Sequence, residues 1–213
     1  MAVITLSQQY GSYGDAVAKL LCDRLGYRSL DKYRMQRLAA QAGLKPDRVV
    51  DWSEDRYRPG TLMERFFANM ALPTRSPVVW ADHVAAAARE DRVAALVIQL
   101  IHAAYEMGKA VILGRGGQVV LREKPDVLHV RLVAPLGTRI RRRQMRAGLT
   151  AEAARKQVIE RDRASAEFAK RYYGVDVADP ALYDVVIDTG KLPLPVVADL
   201  IIGSLAALPV TAN

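Results

Sequence analysis

The fold is decided by residues 2–31, which read AVITLSQQYGSYGDAVAKLLCDRLGYRSLD. A short β-branched apolar run, Ala2–Leu6, leads into a glycine-bearing loop, Ser7–Gly14, and a segment with helical apolar spacing follows directly. A strand, a glycine loop and a helix N-terminus in this order can bind phosphate, because the N–H groups of the loop and helix converge on one point. The segment therefore predicts an anion site at its loop.

The centre of this loop departs from the phosphate-loop motif G-x-x-x-x-G-K-[ST]. Gly14 stands where the motif has lysine, and Asp15 stands where it has serine or threonine. Backbone N–H groups from Gly11 to Asp15 can still hold a phosphate. Two roles are open for Asp15: it caps the helix, the role we favour, or it helps to hold Mg²⁺ in place of the usual hydroxyl.

Composition limits the classes of protein to consider. The 213 residues are 51% hydrophobic, enough for one sizeable core, and we expect one domain over residues 1–213. The formal net charge of +8 suits an anionic partner such as nucleotide phosphates, nucleic acid or a membrane surface. No apolar run approaches the ~20 residues of a membrane span, so no membrane partner is expected. One cysteine, Cys22, fits a packed thiol in a reducing, cytoplasmic location.

Strands alternate with helices along the chain, which predicts a parallel sheet covered by helices on both faces. Ligands of such sheets bind at the carboxyl ends of the strands. Three of these ends, Ser7–Gly14, Asp31 and Gly114–Gly117, are expected to lie side by side. The predicted strands are Ala2–Leu6, Tyr27–Leu30, Ala110–Leu113, Pro125–Val133 and Asp184–Asp188.

The remaining segments include an arginine-rich stretch and an irregular one. Pro135 opens a helix crowded with arginines and Gly148 ends it, while Thr150 is the expected N-cap of the next helix. A mobile insertion is expected at about 44–77, and the apolar helices of 78–107 could form a homodimer interface. The arginines predict an anion-binding lid at about 139–172, with a solvated face or a surface salt-bridge network as the alternative.

Five segments in register resemble cytidylate kinases and, more closely, the cytidylate kinase-like family of nucleoside monophosphate kinases. They read GSYGDAVAKLLCDRLGYRSLD, VILGRGG, VLHVRLVAPLGTRIRRR, IERDRA and LYDVVIDTGKLPLPVVADLI. The resemblance implies the P-loop NTPase fold, a three-layer α/β sandwich with about five parallel strands. It also implies ATP as the phosphate donor, Mg²⁺ as the cofactor and a monophosphate or another small acceptor.

The resemblance also implies the residues of the site, in which guanidinium forks grip phosphates and lid arginines surround the transferring group. The implied nucleotide-binding loop is Gly11, Ser12, Tyr13, Gly14, Asp15 and Ala16. The implied catalytic residues are Arg139, Arg142, Arg143 and Asp15, with Asp15 also the metal ligand. The implied acceptor-binding residues are Asp31, Arg37, Arg92, Arg115 and Arg161.

Other positions depart from the family's pattern. Gly116 replaces the aspartate of Gly-Arg-Asp, and Ser165 and Phe168 replace two nucleoside-contacting residues, so cytosine specificity is not implied. Asp162 could orient the neighbouring Arg161 or Arg163, or pair with them on the helix surface.

The leading hypothesis is a nucleoside monophosphate kinase-like phosphotransferase that moves the γ-phosphate of ATP to a nucleotide or another small acceptor. The alternative is a non-catalytic nucleotide- or phosphate-binding module with a degenerate loop. Nucleic-acid binding through the lid fits the charge but lacks a recognised module.

Overall fold

The computed structural model describes residues 2–31, 33–35, 37 and 94–209. Five parallel strands form one sheet in the order β2-β3-β1-β4-β5. The strands are β1 (Val3–Gln8), β2 (Arg28–Leu30), β3 (Ala110–Leu113), β4 (Val127–Val133) and β5 (Val185–Asp188). The predicted parallel α/β fold is confirmed, and β1 runs two residues further than expected.

Helices cover both faces of this sheet. Residues 33–35 and 37 are also helical. The longer elements are α1 (Gly14–Leu25), α2 (94–107), α3 (Gly117–Val120), α4 (Leu136–Ala147), α5 (Ala151–Tyr173), a 3-10 turn (Pro180–Leu182) and α6 (Leu194–Ala206).

The core consists of two clusters, one on each side of the sheet. Successive side chains of a strand point to opposite faces. Ile4 and Leu6 accordingly pack with residues of α1 and α6, whereas Val3 packs with residues of α2 and with Phe168 of α5. Since β1 lies at the centre of the sheet and is buried on both faces, its first four residues are apolar except for Thr5.

The helix ends of the lid follow the sequence signals. Gly148 adopts a left-handed φ of 62° at the end of α4, as a glycine in that position can without strain. The Thr150 side chain accepts a hydrogen bond from Ala153 N–H at 3.2 Å and caps α5, as predicted. The two helices span the residues of the expected lid at about 139–172, and its function as a lid stays a prediction.

The predicted insertion at 44–77 and the segment from 78 to 93 lie outside the described residues. The homodimer interface, the mobility of the insertion and the single-domain arrangement accordingly stay predictions. Within the described part, no helix has both the length and the apolar character that a membrane crossing requires.

Candidate functional site

A cleft of about 730 Å³ opens at the carboxyl ends of β1, β2 and β3. Gly11, Asp31 and Gly114, one from each of the three predicted strand ends, all line it. The expected juxtaposition of these ends is therefore present. The first turn of α1 and the arginines of α4 form further walls, through Asp15, Arg142, Arg143 and Arg146.

The loop between β1 and α1 is held closely against its neighbours. Gln9 N–H donates to Leu132 O at 2.9 Å, and Ser12 N–H donates to Gln9 O at 3.1 Å. Gly11 has a φ of 89°, and a Cβ there would lie 3.1 Å from the Cβ of Arg139. The close approach of α4 thus requires glycine at position 11.

The N-cap residue of helix α1 makes no side-chain capping hydrogen bond. This residue, Tyr13, has a left-handed φ of 64°, and Gly14 N–H donates to Gln8 Oε1 at 2.7 Å. Asp15 is exposed in the first turn, and its carboxylate makes no hydrogen bond or ion pair within the described residues. The prediction that Asp15 caps the helix through a hydrogen bond is therefore wrong. The charge of Asp15 still faces the positive end of the helix dipole.

Arg139 binds the loop rather than facing the open cleft. Its buried guanidinium donates to Ala134 O at 2.9 Å and to Tyr10 O at 3.2 Å, and it pairs with Asp162 Oδ2 at 2.6 Å. Asp162 Oδ1 in turn accepts Tyr10 N–H at 2.9 Å. These contacts differ from those expected of a catalytic arginine, and they connect α4, α5 and the loop.

The expected pairing of Asp162 with its neighbours on α5 is wrong. Arg163 pairs instead with Glu167 at 2.7 Å on the helix surface. Asp162 reaches the buried Arg139 because α4 and α5 pack against each other.

Two further lid arginines lie against the tyrosine rings of the loop. Arg142 stacks on Tyr13 with its guanidinium carbon 4.1 Å from the ring centroid, and it donates to Gly11 O and to both oxygens of Thr189. Arg143 lies 5.1 Å from the Tyr10 ring. Because neither arginine pairs with a carboxylate among the described residues, the salt-bridge-network alternative does not hold for these two.

Arg143 has fewer hydrogen-bond acceptors than Arg142 among the described residues. Its Nε and one Nη donate to Gln157 Oε1 at 3.1 and 2.9 Å. Arg161 also faces the Tyr10 ring, with its guanidinium carbon 5.5 Å from the centroid. The ring of Tyr10 therefore has guanidinium groups from both lid helices beside it, an arrangement that cation–π attraction stabilises.

Arg115 lies in the loop after β3, on a different element from the α4 arginines. It is 4% exposed, lines the cleft and has a left-handed φ of 62°. Its carbonyl accepts a hydrogen bond from the Tyr173 hydroxyl at 2.7 Å. At Gly116, with a φ of 72°, a Cβ would overlap the Tyr173 ring. The packing of α5 thus explains the glycine in place of the family's aspartate.

The other implied acceptor residues have different positions. Asp31 lines the cleft, and its Oδ1 accepts Arg34 N–H at 2.9 Å. Arg37 is exposed and is not among the residues that line the cleft, while Arg92 lies outside the described residues. Phe168 is 1% exposed in the core, where it packs on Tyr172, so it takes no part in the cleft.

The residues of the cleft fit a divalent cation held largely by its nucleotide. No group of three His, Cys, Asp or Glu side chains that could hold a metal occurs in the described ranges. Magnesium in phosphoryl-transfer sites needs one or two carboxylates, because phosphate oxygens and water supply the remaining ligands. Asp15 lines the cleft, its carboxylate makes no contact with a charged or polar partner among the residues that the structure describes, and it meets that need.

Cys22 also lines the cleft, but its chemistry is that of a packed thiol. It is half-buried, and burial raises the pKa of the thiol above its ordinary value. A raised pKa disfavours the thiolate, the nucleophilic form.

Three residues at the site were missed by sequence reasoning: Gln8, Tyr10 and Thr189. Gln8 carries one usable signal, since the motif's register places its first glycine there. Thr189 directly follows β5, another strand end. Tyr10 acts through its backbone and ring, for which the loop sequence offers no pattern.

Comparisons with known proteins agree with this fold. The sequence model of the cytidylate kinase-like family matches residues 3–191. A cytidylate kinase of Methanopyrus kandleri is 35% identical over 96 residues, covering 41% of this chain and 50% of that protein. One from Sulfolobus acidocaldarius is 40% identical over 76 residues, covering 36% and 42%.

A protein named uronate isomerase from Corynebacterium glutamicum is 34% identical over 96 residues, which cover 45% of this chain and 18% of that protein. The chain thus spans half or less of these curated relatives. In the crystal structure of an uncharacterized protein from Eubacterium ventriosum the fold is alike, with a TM-score of 0.69 and 17% identity over 97% of this chain and 99% of that one. Since the matched family model runs from β1 past the end of β5, the chain belongs to the cytidylate kinase-like family.

Proposed function

We propose that the protein is an ATP- and Mg²⁺-dependent phosphotransferase of the nucleoside monophosphate kinase type. Its acceptor would be a nucleotide or another small molecule. The observation that carries this proposal is the cleft itself. One cleft of about 730 Å³ is lined by the N-terminus of α1 with the Asp15 carboxylate and by two arginines from separate elements, Arg115 and Arg143.

The donor phosphates would lie at the α1 end of the cleft. Backbone N–H groups from Gly11 to Asp15 and the positive end of the helix dipole favour an anion there. Asp15 would hold Mg²⁺ against the phosphate oxygens, and the cation would neutralise charge that develops during transfer. Arg139 and Asp162 would keep the loop in place through Tyr10, which makes Arg139 a positioning residue in this proposal.

The acceptor phosphate would lie at the β3 end, where Arg115 and Asp31 line the cleft. A guanidinium keeps its charge at all physiological pH values and binds phosphate through two parallel hydrogen bonds. Arg142 and Arg143, between the two ends, would surround the transferring group. Phosphoryl transfer needs little beyond positioning and positive charge, and this chain supplies both from its own residues.

A binding module without transferase activity is the second candidate. One observation favours it: no lysine stands in the loop, and the Gln8 side chain occupies the space beside Gly14. The nucleic-acid hypothesis gains no support from Arg139 and Arg142, because both bind carbonyl groups of the loop. A cytoplasmic location is part of the proposal, on the basis of the cysteine content.

The deciding experiment incubates the protein with ATP, Mg²⁺ and a panel of nucleoside monophosphates and detects the diphosphate products. Formation of a diphosphate from one or two acceptors would support the kinase and name its substrate. Measurable ATP binding without any product would favour the binding module or a non-nucleotide acceptor. Matched reactions with the Asp15→Asn variant would show whether product formation depends on the proposed metal ligand.

A further inference from the structure

Two positions of the loop differ from the phosphate-loop motif in opposite directions: one has a longer side chain than the motif and the other a shorter one. When the lysine of G-x-x-x-x-G-K-[ST] falls on Gly14, the first glycine of the motif falls on Gln8. The long side chain of the motif is thus absent at position 14, and a long side chain is present at position 8. The two changes are physically linked.

The link is a shared volume at the start of α1. A Cβ on residue 14 would lie 2.5 Å from Gln8 Cδ and 3.0 Å from Gln8 Nε2, so the carboxamide fills the space where a lysine side chain would begin. Gln8 also lines the cleft. Its side chain therefore faces the cleft from the position at which a lysine would enter it.

The orientation of the carboxamide follows from its partner. Gly14 N–H can only donate, so the atom that faces it at 2.7 Å is the oxygen, Oε1. The amide nitrogen, Nε2, then carries two N–H donors, and it makes no hydrogen bond within the described residues. Gln8 is partly exposed, which leaves these donors open to the cleft.

We propose that Gln8 takes the place of the loop lysine, with Oε1 holding Gly14 N–H and Nε2 donating to the donor phosphate. The inference rests on the proposed function, because it concerns the donor end of the same cleft. A carboxamide is neutral, so it supplies a hydrogen bond without the positive charge of a lysine. The charge must then come from Arg142 and Arg143, which line the cleft beside it.

The test measures affinity for inorganic tripolyphosphate and for ATP, each with Mg²⁺, by calorimetry, together with the melting temperature. The Gln8→Leu variant should bind both ligands about tenfold or more weakly, the loss expected for a hydrogen bond to a charged group. Gly14→Lys alone should displace the carboxamide and lower the melting temperature. The double variant Gln8→Gly with Gly14→Lys should bind as tightly as the native protein or more tightly, because it removes the side chain at position 8 that would collide with the lysine and places the motif's lysine at position 14.

Gln9→Leu is the matched control. Gln9 Oε1 accepts Ala134 N–H at 3.1 Å, so this variant also loses one carboxamide bond to the backbone, but Gln9 does not line the cleft. It should keep native affinity within about twofold, as expected away from a binding contact. A role of Gln8 as a helix cap alone would make the two leucine variants alike in affinity, and that result would overturn the inference.

Two further results separate this inference from the proposed function. Native affinity in Gln8→Leu, in a protein that binds ATP and transfers phosphate, would overturn the inference and leave the kinase intact. If the folded double variant binds ATP no more tightly than Gln8→Leu does, the inference is also overturned and the kinase proposal is unaffected. A native protein that binds neither tripolyphosphate nor ATP would overturn both.

Discussion

Arg139 of α4 and Asp162 of α5 form an ion pair at 2.6 Å, and each of them also binds the backbone of Tyr10. Arg139 binds the carbonyl of Tyr10 and Asp162 its N–H. The side chain of Arg139 is 6% exposed and that of Asp162 is 31% exposed, so the pair lies largely inside the protein. Both α4 and α5 are thereby attached to the loop between β1 and α1 at one residue.

Replacing Asp162 with alanine should destabilise the protein strongly. The change leaves the Arg139 guanidinium buried without its carboxylate and removes the acceptor of Tyr10 N–H. Breaking a buried pair from one side costs about 3 kcal/mol. We expect a loss of about that size in the free energy of unfolding, measured by urea denaturation.

Glu160→Ala is the control for this prediction. Glu160 lies on the same helix and pairs with Lys156 at 3.9 Å on the surface. Exposed pairs of this kind contribute about 0.5 kcal/mol or less. Equal losses in the two variants would show that the Asp162 pair does not support the loop.

Gly116→Ala should destabilise the protein more than Gly148→Ala. Both glycines have left-handed φ values, 72° and 62°, so both substitutions carry the conformational cost of about 1 kcal/mol. Only at Gly116 does the new Cβ overlap a neighbour, the ring of Tyr173, whereas nothing lies within 4 Å at Gly148. The difference between the melting temperatures of the two variants measures the cost of the overlap with Tyr173. Equal melting temperatures would contradict the prediction that this overlap destabilises the protein.

The sheet and the site neighbourhood could be predicted from the sequence because their signals are local. The apolar run of β1 and the strand Ala110–Leu113 are read from consecutive residues, and the order of strands and loops implies that Gly11, Asp31 and Gly114 meet. The N-cap role of Thr150 also follows from its immediate neighbours. Each of these predictions needs only local sequence, the order of the segments along the chain and a general rule of packing.

The pairings within the site could not be predicted, because they join distant segments. Asp162 has two arginines beside it in sequence, yet it pairs with Arg139, 23 positions away. The overlap of residue 116 with Tyr173 depends on how α5 crosses the loop after β3. The shared volume of Gln8 and Gly14 depends on the rotamer of one side chain, which no spacing rule supplies.

The stability of the protein should depend on pH through His129. Burial lowers the pKa of this histidine below its ordinary value of 6.5, although the nearby Asp184 carboxylate partly opposes the shift. As pH falls below about 6.5, the unfolded chain binds a proton before the native state does. The stability that is linked to the neutral form of His129 is therefore fully present above that pH and is lost as pH falls towards the lowered native pKa.

The measurement is the free energy of unfolding in urea at several pH values from 7.5 down to about 5.5, a window that spans the ordinary histidine pKa. His129→Gln should show a smaller decrease over this window, because the variant lacks the titrating group. Identical decreases in the native and variant proteins would assign the dependence to other residues.

Arg115→Ala should weaken acceptor binding strongly and leave donor binding intact. We expect the affinity for the preferred nucleoside monophosphate to fall about 100-fold, because a guanidinium–phosphate contact is charge-assisted and bidentate. Affinity for ATP should stay within about twofold, since residues remote from a contact have small effects. Arg122→Ala is the control, because Arg122 is exposed and pairs with Glu123 at 2.9 Å. Unchanged monophosphate binding in a folded Arg115→Ala variant would remove Arg115 from the acceptor site.

Arg143 should matter more for turnover than for binding. Its described hydrogen bonds go to Gln157, so it can turn towards the cleft without breaking the loop contacts that hold Arg142. An arginine that stabilises the transferring phosphoryl group contributes about 1,000-fold or more to kcat. Arg143→Ala should therefore lower kcat by at least roughly 100-fold with a smaller change in KM.

Arg141→Ala, on the same helix, is the control for this comparison. Arg141 is exposed and donates to Thr138 Oγ1 at 3.2 Å, and it does not line the cleft. Its replacement removes the same charge from α4 while leaving the cleft unchanged. If both variants lose turnover equally, general attraction of anions by the lid explains the effect. If Arg143→Ala alone loses turnover while ATP affinity stays near native, the guanidinium acts on the phosphoryl group in the transition state.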